Sequence, residues 1–282
     1  MLGCIGIVSA GSMGSAIGKT LAAKGTRVVV ALEQRSRQTA DRAARAGLVD
    51  VGTVTELVGQ SDLVLSIVPP ARAAEVAQHL ADAMAETGHH PVVLDANAIS
   101  PARAKLIART IEESGGQYLD GGIIGGPPRD MGRTDLFVSG PHAGAVVEDL
   151  TTNELVVTDL GEDPTAASTL KMCHAAWTKC SSALLITVRS AACRYGVDSA
   201  LCDLWAQTQP DLLARSEGEG RVADRAWRWV DEMLEIANTL DDAELPDGAA
   251  LAAAAVYERL AGFKDVPSAP SLDAVVAAVL AR

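Results

Sequence analysis

The sequence predicts an α/β N-terminal half on a doubly wound, mostly parallel sheet, then a long interdomain helix and an all-α C-terminal half. Three observations carry this prediction. Short apolar runs alternate with helical stretches through residues 1–160. One of them, Ile5-Gly6-Ile7-Val8, passes through a small-residue turn into a helix and on to a second apolar run at βαβ spacing. After Gly161 the strand signal ends. These shifts divide the chain into a dinucleotide-binding domain, 1–160, and a helical substrate and dimerisation domain, 161–282.

Taken in order, Cys4 to Val8 is the first strand, and the helix after its turn runs through Ser15 to Lys24 and stops at Gly25. Further strands are read at Arg27 to Leu32, Leu63 to Ile67, Val92 to Asp95 and Gln117 to Asp120, with helices between them. Leu136 to Ser139 and Leu155 to Thr158 close this half. Glu162-Asp163-Pro164 is a good helix start, and Thr165 to Arg194 then runs without Pro or Gly, which makes one long helix. Helical segments follow at Ser199 to Ala206, Arg221 to Leu240, Gly248 to Ala261 and Leu272 to Leu280, while Ser216 to Gly220 reads as an exposed turn.

Composition narrows the function classes. A formal net charge of −12 and the lack of a basic stripe among aromatics oppose nucleic-acid binding, so a small molecule is the expected partner. There is no basic and apolar leader and no apolar run long enough to span a bilayer, so a soluble, cytoplasmic protein without membrane partners is expected. The five cysteines contain no CxxC pair, speak against disulfides and zinc, and read as small core residues. Cys173 and Cys180 on one helix would stand roughly 10 Å apart along its axis, too far to bridge. Apolar runs at Ala249 to Val256 and Ala274 to Leu280 look too extended to bury within one subunit, and predict a homodimer.

The turn Ser9-Ala10-Gly11-Ser12-Met13-Gly14 is the strongest chemical signal. A tight turn between strand and helix bares backbone N–H groups, and the helix N-terminus adds its positive dipole end, so pyrophosphate binds without side-chain charge. Gly11 lets the backbone approach the phosphate, and Gly14 lets the helix pack on the strand; Ser9 stands where the usual pattern has its first glycine. At the end of the second strand, Glu33 suits a free ribose 2′-OH, whereas Gln34-Arg35-Ser36-Arg37 offers two guanidiniums and a hydroxyl to a 2′-phosphate. The first reading points to NAD(H) and the second to NADP(H). On the long helix, Lys171, His174, Ala175 and Thr178 share one face by the i, i+3, i+4, i+7 rule. A lysine in a closed cleft loses hydration and can exchange a proton with a substrate oxygen near neutral pH.

Four motifs in order resemble the β-hydroxyacid dehydrogenase and 6-phosphogluconate dehydrogenase superfamily. They are the turn from Ser9 to Gly14 (GxGxMG), Asp95-Ala96-Asn97-Ala98-Ile99-Ser100-Pro101, Asp120-Gly121-Gly122-Ile123-Ile124-Gly125-Gly126 (the substrate loop DxPVSGG), and Lys171-Met172-Cys173-His174-Ala175 (KMVHN). The C-terminal Arg225 to Val230 and Leu245 to Gly248 are similar to a subgroup labelled phosphogluconate dehydrogenase-like. The resemblance implies a Rossmann domain and NADP(H)-dependent hydride transfer on a small polar alcohol or carbonyl, with Lys171 as acid/base and His174 orienting substrate. It places Ser9 to Gly14, Gln34 to Arg37, Val68, Pro69 and Asn97 at the cofactor, and Asn97, Ile124, Gly125, Gly126, Ala175 and Thr178 at the substrate.

The departures matter as well. The family's catalytic asparagine falls on Ala175, and its substrate-loop serine falls on Ile124, so a standard 3-hydroxy acid loses contacts of about 1–3 kcal/mol each. Asn97 and Thr178 are the candidates to replace them. An imine reductase is the nearest rival; Lys171 opposes it, because imine reductases carry Asp or Tyr at that helix position. A noncatalytic NADP(H)-binding regulator is the rival from another class, opposed by retention of Lys171 and His174.

Overall fold

The computed structural model describes residues 2–128, 133–264, 266 and 268–281. The chain runs β1 (Cys4–Ile7), α1 (Ser12–Ala23), β2 (Arg27–Val30), α2 (Arg37–Arg45), β3 (Val49–Asp50), α3 (Val54–Gln60), β4 (Leu63–Ser66) and α4 (Ala73–Thr87). It continues through β5 (Val92–Asp95), α5 (Pro101–Glu113), β6 (Gln117–Ile124), β7 (Thr134–Ser139), α6 (Gly144–Leu150) and β8 (Leu155–Asp159). Helices follow: α7 (Ala166–Arg194), α8 (Asp198–Thr208), α9 (Pro210–Glu217), α10 (Ala226–Asp242), α11 (Gly248–Arg259) and α12 (Leu272–Leu280). Two compact units result, Met1–Met172 and Cys173–Arg282, and the boundary falls inside α7.

In the first unit the eight strands form one sheet in the order β3-β2-β1-β4-β5-β6-β7-β8, with β6 and β7 antiparallel and every other pair parallel. Strand side chains alternate between its faces, which is why the strands read as near-continuous apolar runs. Ile5, Ile7, Val28, Val30, Leu63, Leu65 and Leu94 pack with Ile17 and Leu21 of α1 on one face. On the other, Val29, Val64 and Val93 pack with Leu57, Leu80, Met84, Ile107 and Ile111 of α3, α4 and α5. That is the doubly wound arrangement the sequence predicts.

Several expectations are corrected. The strand read at Gln117 to Asp120 continues to Ile124, so most of the segment read as a substrate loop is sheet, paired with β7 through Ile124 and Asp135. Ser216 to Gly220 is not an exposed turn: Glu219 and Gly220 lie in a 3-10 segment, Gly218–Arg225, and Ser216, Glu219 and Gly220 are buried. The reason is tertiary. Arg189 donates to the Ser216 hydroxyl at 2.9 Å, and the Ser182 hydroxyl donates to the Glu219 carboxylate, which also faces Arg215 at 3.5 Å. The helix expected from Arg221 accordingly begins at Ala226, and α9 before it is a helix the sequence reading lacked. Of the cysteines only Cys4 is buried; Cys173 and Cys193 are exposed, and Cys180 and Cys202 are intermediate. In the two apolar runs expected at a dimer interface, Ala250, Ala253, Ala254, Val275, Val276 and Val279 are buried, while Leu251 is 45% exposed. Among the described residues no helix is long and apolar enough to cross a membrane, and no His, Cys, Asp and Glu group could hold a metal ion.

Candidate dinucleotide and lysine site

The sheet order reverses at β1, which has β2 on one side and β4 on the other. In open α/β sheets the crevice outside the carboxyl ends of the strands at such a point is where ligands bind. Here its walls are the segment after β1, Val8 to Gly11, and the segment after β4, Ile67 to Pro69; at its base the Val8 N–H donates to the Leu65 carbonyl of β4 at 3.2 Å.

The N-terminus of α1 opens onto this crevice. Gly11 is the N-cap, with no side-chain cap and no acidic residue in the first turn, so the positive end of the helix is left for an outside anion. Gly14 is sterically required: a Cβ there would stand 2.2 Å from the Ser9 carbonyl oxygen. Ser9 serves in place of the usual glycine because it is not among the residues with positive φ, so the turn makes no demand there that a side chain violates. Ser12 is exposed, Ala10 is buried, and Met13 packs half-buried against the core. These residues fit a dinucleotide pyrophosphate.

At the end of β2 the Arg35 N–H donates to the Leu32 carbonyl at 3.0 Å, and Gln34 takes a left-handed φ of 57° to make the turn. The Ser36 hydroxyl caps α2, accepting from the Thr39 N–H at 3.3 Å, so it has a structural duty beside the expected one. Gln34, Arg35, Ser36 and Arg37 are all exposed. Arg42 was missed: its Nη1 donates at 3.0 Å to the Ala10 carbonyl and ties α2 to the phosphate turn. No sequence signal marks it, because its partner is a backbone atom 32 residues away.

Asn97 lies buried where β5 leaves the sheet. Its Oδ1 accepts from the Val68 N–H at 2.6 Å, its Nδ2 donates to the Ser66 hydroxyl at 3.1 Å, and its own N–H donates to Asp95 at 2.9 Å. Asn97, offered by sequence as a cofactor contact and a replacement substrate contact, braces the Val68-Pro69 segment through these bonds. Val68 is half-buried and Pro69 exposed.

Beyond Asp95, its register partner in β5, β6 runs on through Gly121 to Ile124 past the carboxyl end of β5. A Cβ at Gly122 would stand 2.6 Å from the Ala167 carbonyl oxygen and 3.1 Å from the Lys171 Cβ, so only glycine lets the start of α7 lie this close to β6. Lys171 is half-buried, with its stem on Gly122. Ile124 ends the strand half-buried, and Gly125 and Gly126 are exposed in the turn after it, where the Thr134 hydroxyl donates to the Gly126 carbonyl at 2.6 Å. In the second unit α7 continues with His174 exposed and Ala175 buried. The Thr178 hydroxyl donates to the His174 carbonyl at 3.0 Å, so the proton it would offer in place of the lost asparagine is engaged by its own helix.

Two adjacent buried carboxyls were not foreseen as a pair. Burial pushes Asp95 up to about 7, aided by Asp120 beside it and opposed by the Asn97 backbone N–H. Burial likewise pushes Asp120 up to about 6, against hydrogen bonds from Ser168 and Ser139.

Residues 4–151 match the NAD binding domain of 6-phosphogluconate dehydrogenase, and residues 192–260 match a domain of unknown function. An uncharacterised 28.5 kDa protein of Methanothermus fervidus, from the 7S RNA 5′ region, is 27% identical over 205 residues, 73% of this chain and 77% of that protein. Mycobacterium tuberculosis 3-hydroxyisobutyrate dehydrogenase, solved with L-serine, covers 100% of both chains at 17% identity and a TM-score of 0.72. Streptomyces aurantiacus imine reductase covers 97% of this chain and 98% of its own at 20% identity and a TM-score of 0.52. Both structures share the fold. With more than half of its length matched to that NAD binding domain, and its sheet reversing where the uncapped helix begins, the chain belongs to the 6-phosphogluconate dehydrogenase-like family and has a hydroxyacid dehydrogenase-like NAD(P)-binding fold.

Proposed function

We propose that this protein is an NADP(H)-dependent oxidoreductase that transfers hydride between the nicotinamide and a small polar alcohol or carbonyl compound, with Lys171 as general acid/base. The supporting observation is the seating of Lys171: its stem lies on Gly122 of β6, in the stretch that runs past the carboxyl end of β5. Bound nicotinamide supplies the hydride acceptor or donor. In the oxidative direction Lys171 takes the hydroxyl proton as hydride leaves the carbon that bears it; in reduction the same ammonium returns a proton to the carbonyl oxygen. His174, one turn further along α7, orients the substrate. Ala175 and Ile124 leave no donor at two places where related substrates are held, which supports a substrate less dependent on a carboxylate clamp.

Arg35 and Arg37 stand exposed at the end of the β2 turn and support NADP(H) over NAD(H). NADPH is expected to bind at least tenfold more tightly than NADH, and Arg35→Ala to erode that ratio about tenfold, the worth of one charge-assisted hydrogen bond. Fluorescence titration of both cofactors, followed by hydride exchange with a panel of hydroxy acids, aldehydes and cyclic imines, tests the reading. Tighter NADH binding, or a ratio indifferent to Arg35→Ala, hands the ribose to Glu33. Failure to reduce or oxidise any member of the panel removes the enzymatic reading.

The homodimer is proposed through a different surface from the one read in sequence. On α7, Trp177 is 73% exposed, Leu184 is 62% and Tyr195 is 81%, at helical spacings that place them along one side. Val197 and Leu204 extend the apolar exposure onto α8 and the link before it. Large contiguous apolar exposure marks an interaction surface, and a second copy of the chain carries the same stripe. Light scattering at micromolar concentration is expected to give a dimer, and Leu184→Glu a monomer with unchanged helicity. A wild-type monomer refutes it.

A further inference from the structure

We infer that Asp120 is the positioning residue for Lys171, acting through Ser168 and Ser139 rather than by touching substrate; the inference rests on the proposed role of Lys171. A helix begins with N–H groups that have no partner in the helix itself. In α7 the sheet satisfies two of them, those of Ala167 and Ser168. The Ser168 N–H donates to Asp120 Oδ2 at 2.7 Å, the Ser168 hydroxyl donates to Asp120 Oδ1 at 2.5 Å, and the Ala167 N–H donates to the Ser139 hydroxyl at 3.0 Å. The Ser139 hydroxyl in turn reaches Asp120 Oδ2 at 3.4 Å, its register partner across β6 and β7. All of these side chains are buried, with Asp120 and Ser139 at 0% exposure and Ser168 at 1%.

The geometry does two things at once. A carboxyl at the positive end of a 29-residue helix is favoured by the helix dipole, so the clamp is electrostatic as well as directional. Because it grips residues 167 and 168, it fixes the rotation of α7 one turn ahead of Lys171, which lies on the same side of the helix as both. Gly122, two residues beyond Asp120, then admits the Ala167 carbonyl and the Lys171 stem. Asp120 and Gly122 alternate with Gly121 along β6, so one strand supplies both the grip and the clearance from the same face. A displacement of an acid/base group by about 1 Å costs on the order of 100-fold in rate, so precision here has a catalytic return.

The test uses the full chain with Asp120→Ala, Ser168→Ala and Asp120→Asn. Asparagine still accepts the Ser168 N–H and can donate to its hydroxyl, so it is the rescuing substitution. Hydrogen exchange by mass spectrometry reads the clamp, and pulse acetylation with acetic anhydride across pH reads the Lys171 amine, with exposed Lys19 and Lys105 as internal references. Both Ala variants are expected to exchange at least tenfold faster over residues 166–172 and to change the Lys171 acetylation rate and its pH profile at least threefold, the references being unmoved. Asp120→Asn is expected to restore both. If Asp120→Ala fails to fold, Ser168→Ala carries the test alone. Lys171 labelling unchanged in Ser168→Ala, or no restoration by asparagine, overturns the assignment. A responsive Lys171 in a protein that transfers no hydride leaves the clamp standing and removes the proposed activity instead.

Discussion

Lys171→Met is expected to abolish turnover while leaving NADPH affinity within about twofold of wild type. Methionine keeps the apolar stem against Gly122 and removes only the ammonium, so the start of α7 and the phosphate turn stay as they are. The turn is built from Ser9 to Gly14 and from the end of α1, which has no side-chain cap. Removal of a positioned general acid lowers rate by about 100- to 10,000-fold. The comparison is to be made on whichever member of the substrate panel the wild type turns over, with kcat and KM measured separately. Near-normal kcat with unchanged NADPH binding removes Lys171 from the mechanism, and moves attention to His174 or to imine chemistry.

The second large effect is on stability. Asp95→Asn is expected to raise the thermal midpoint by several degrees at pH 8 and to lower it at pH 4, where the buried Asp95 carboxyl is already neutral and only the cost of the added amide N–H₂ remains. Asp95 titrates at about 7 in the folded protein against an ordinary 3.8, so the folded state holds the proton more firmly than the unfolded chain. The stabilisation that follows is complete below the unfolded value and is lost as pH rises through about 7. Asp120, raised to about 6, adds loss of the same sign over a slightly more acidic window. Asparagine cannot ionise, yet it keeps the oxygen that accepts the Asn97 N–H. The gain at pH 8 is on the order of 1–3 kcal/mol, below the ceiling set by 1.36 kcal/mol per pKa unit because the added amide N–H₂ needs an acceptor. Calorimetry from pH 4 to 8 decides it. A wild-type midpoint that does not fall between pH 5 and 7.5, or an Asn variant less stable at pH 8, counts against a neutral buried Asp95.

What the sequence reveals of this fold divides by range. Apolar strands at fixed spacing, the turn at Gly11 and the Pro-free run to Arg194 are local signals, and each gives its element within a few residues. β3 escaped because Val49–Asp50 is too short to show a period. The extension of β6 escaped for a more instructive reason: Gly121 and Gly122 look like loop residues, whereas they are glycines because the β5 exit and α7 press against them. The Ser-Glu-Gly-Glu-Gly stretch misled in the same way, since burial of Glu219 depends on Ser182, 37 residues earlier. Around the candidate site, the turn after β1 and the place of Lys171 on a long helix are legible. Arg42, Asp120 and the bracing role of Asn97 are not, since each is defined by a partner 29 to 48 residues away in sequence.

The link from Arg42 to Ala10 has a further consequence for how the cofactor is met. A phosphate loop left slack in the free protein has to be ordered by its ligand, and the ordering is subtracted from affinity. Here a guanidinium from α2 already holds the turn by the Ala10 carbonyl, and no side chain caps the helix that follows. Folding itself has done the freezing. Dinucleotide association is accordingly expected to resemble a key entering a cut lock, with little heat capacity drawn from loop closure.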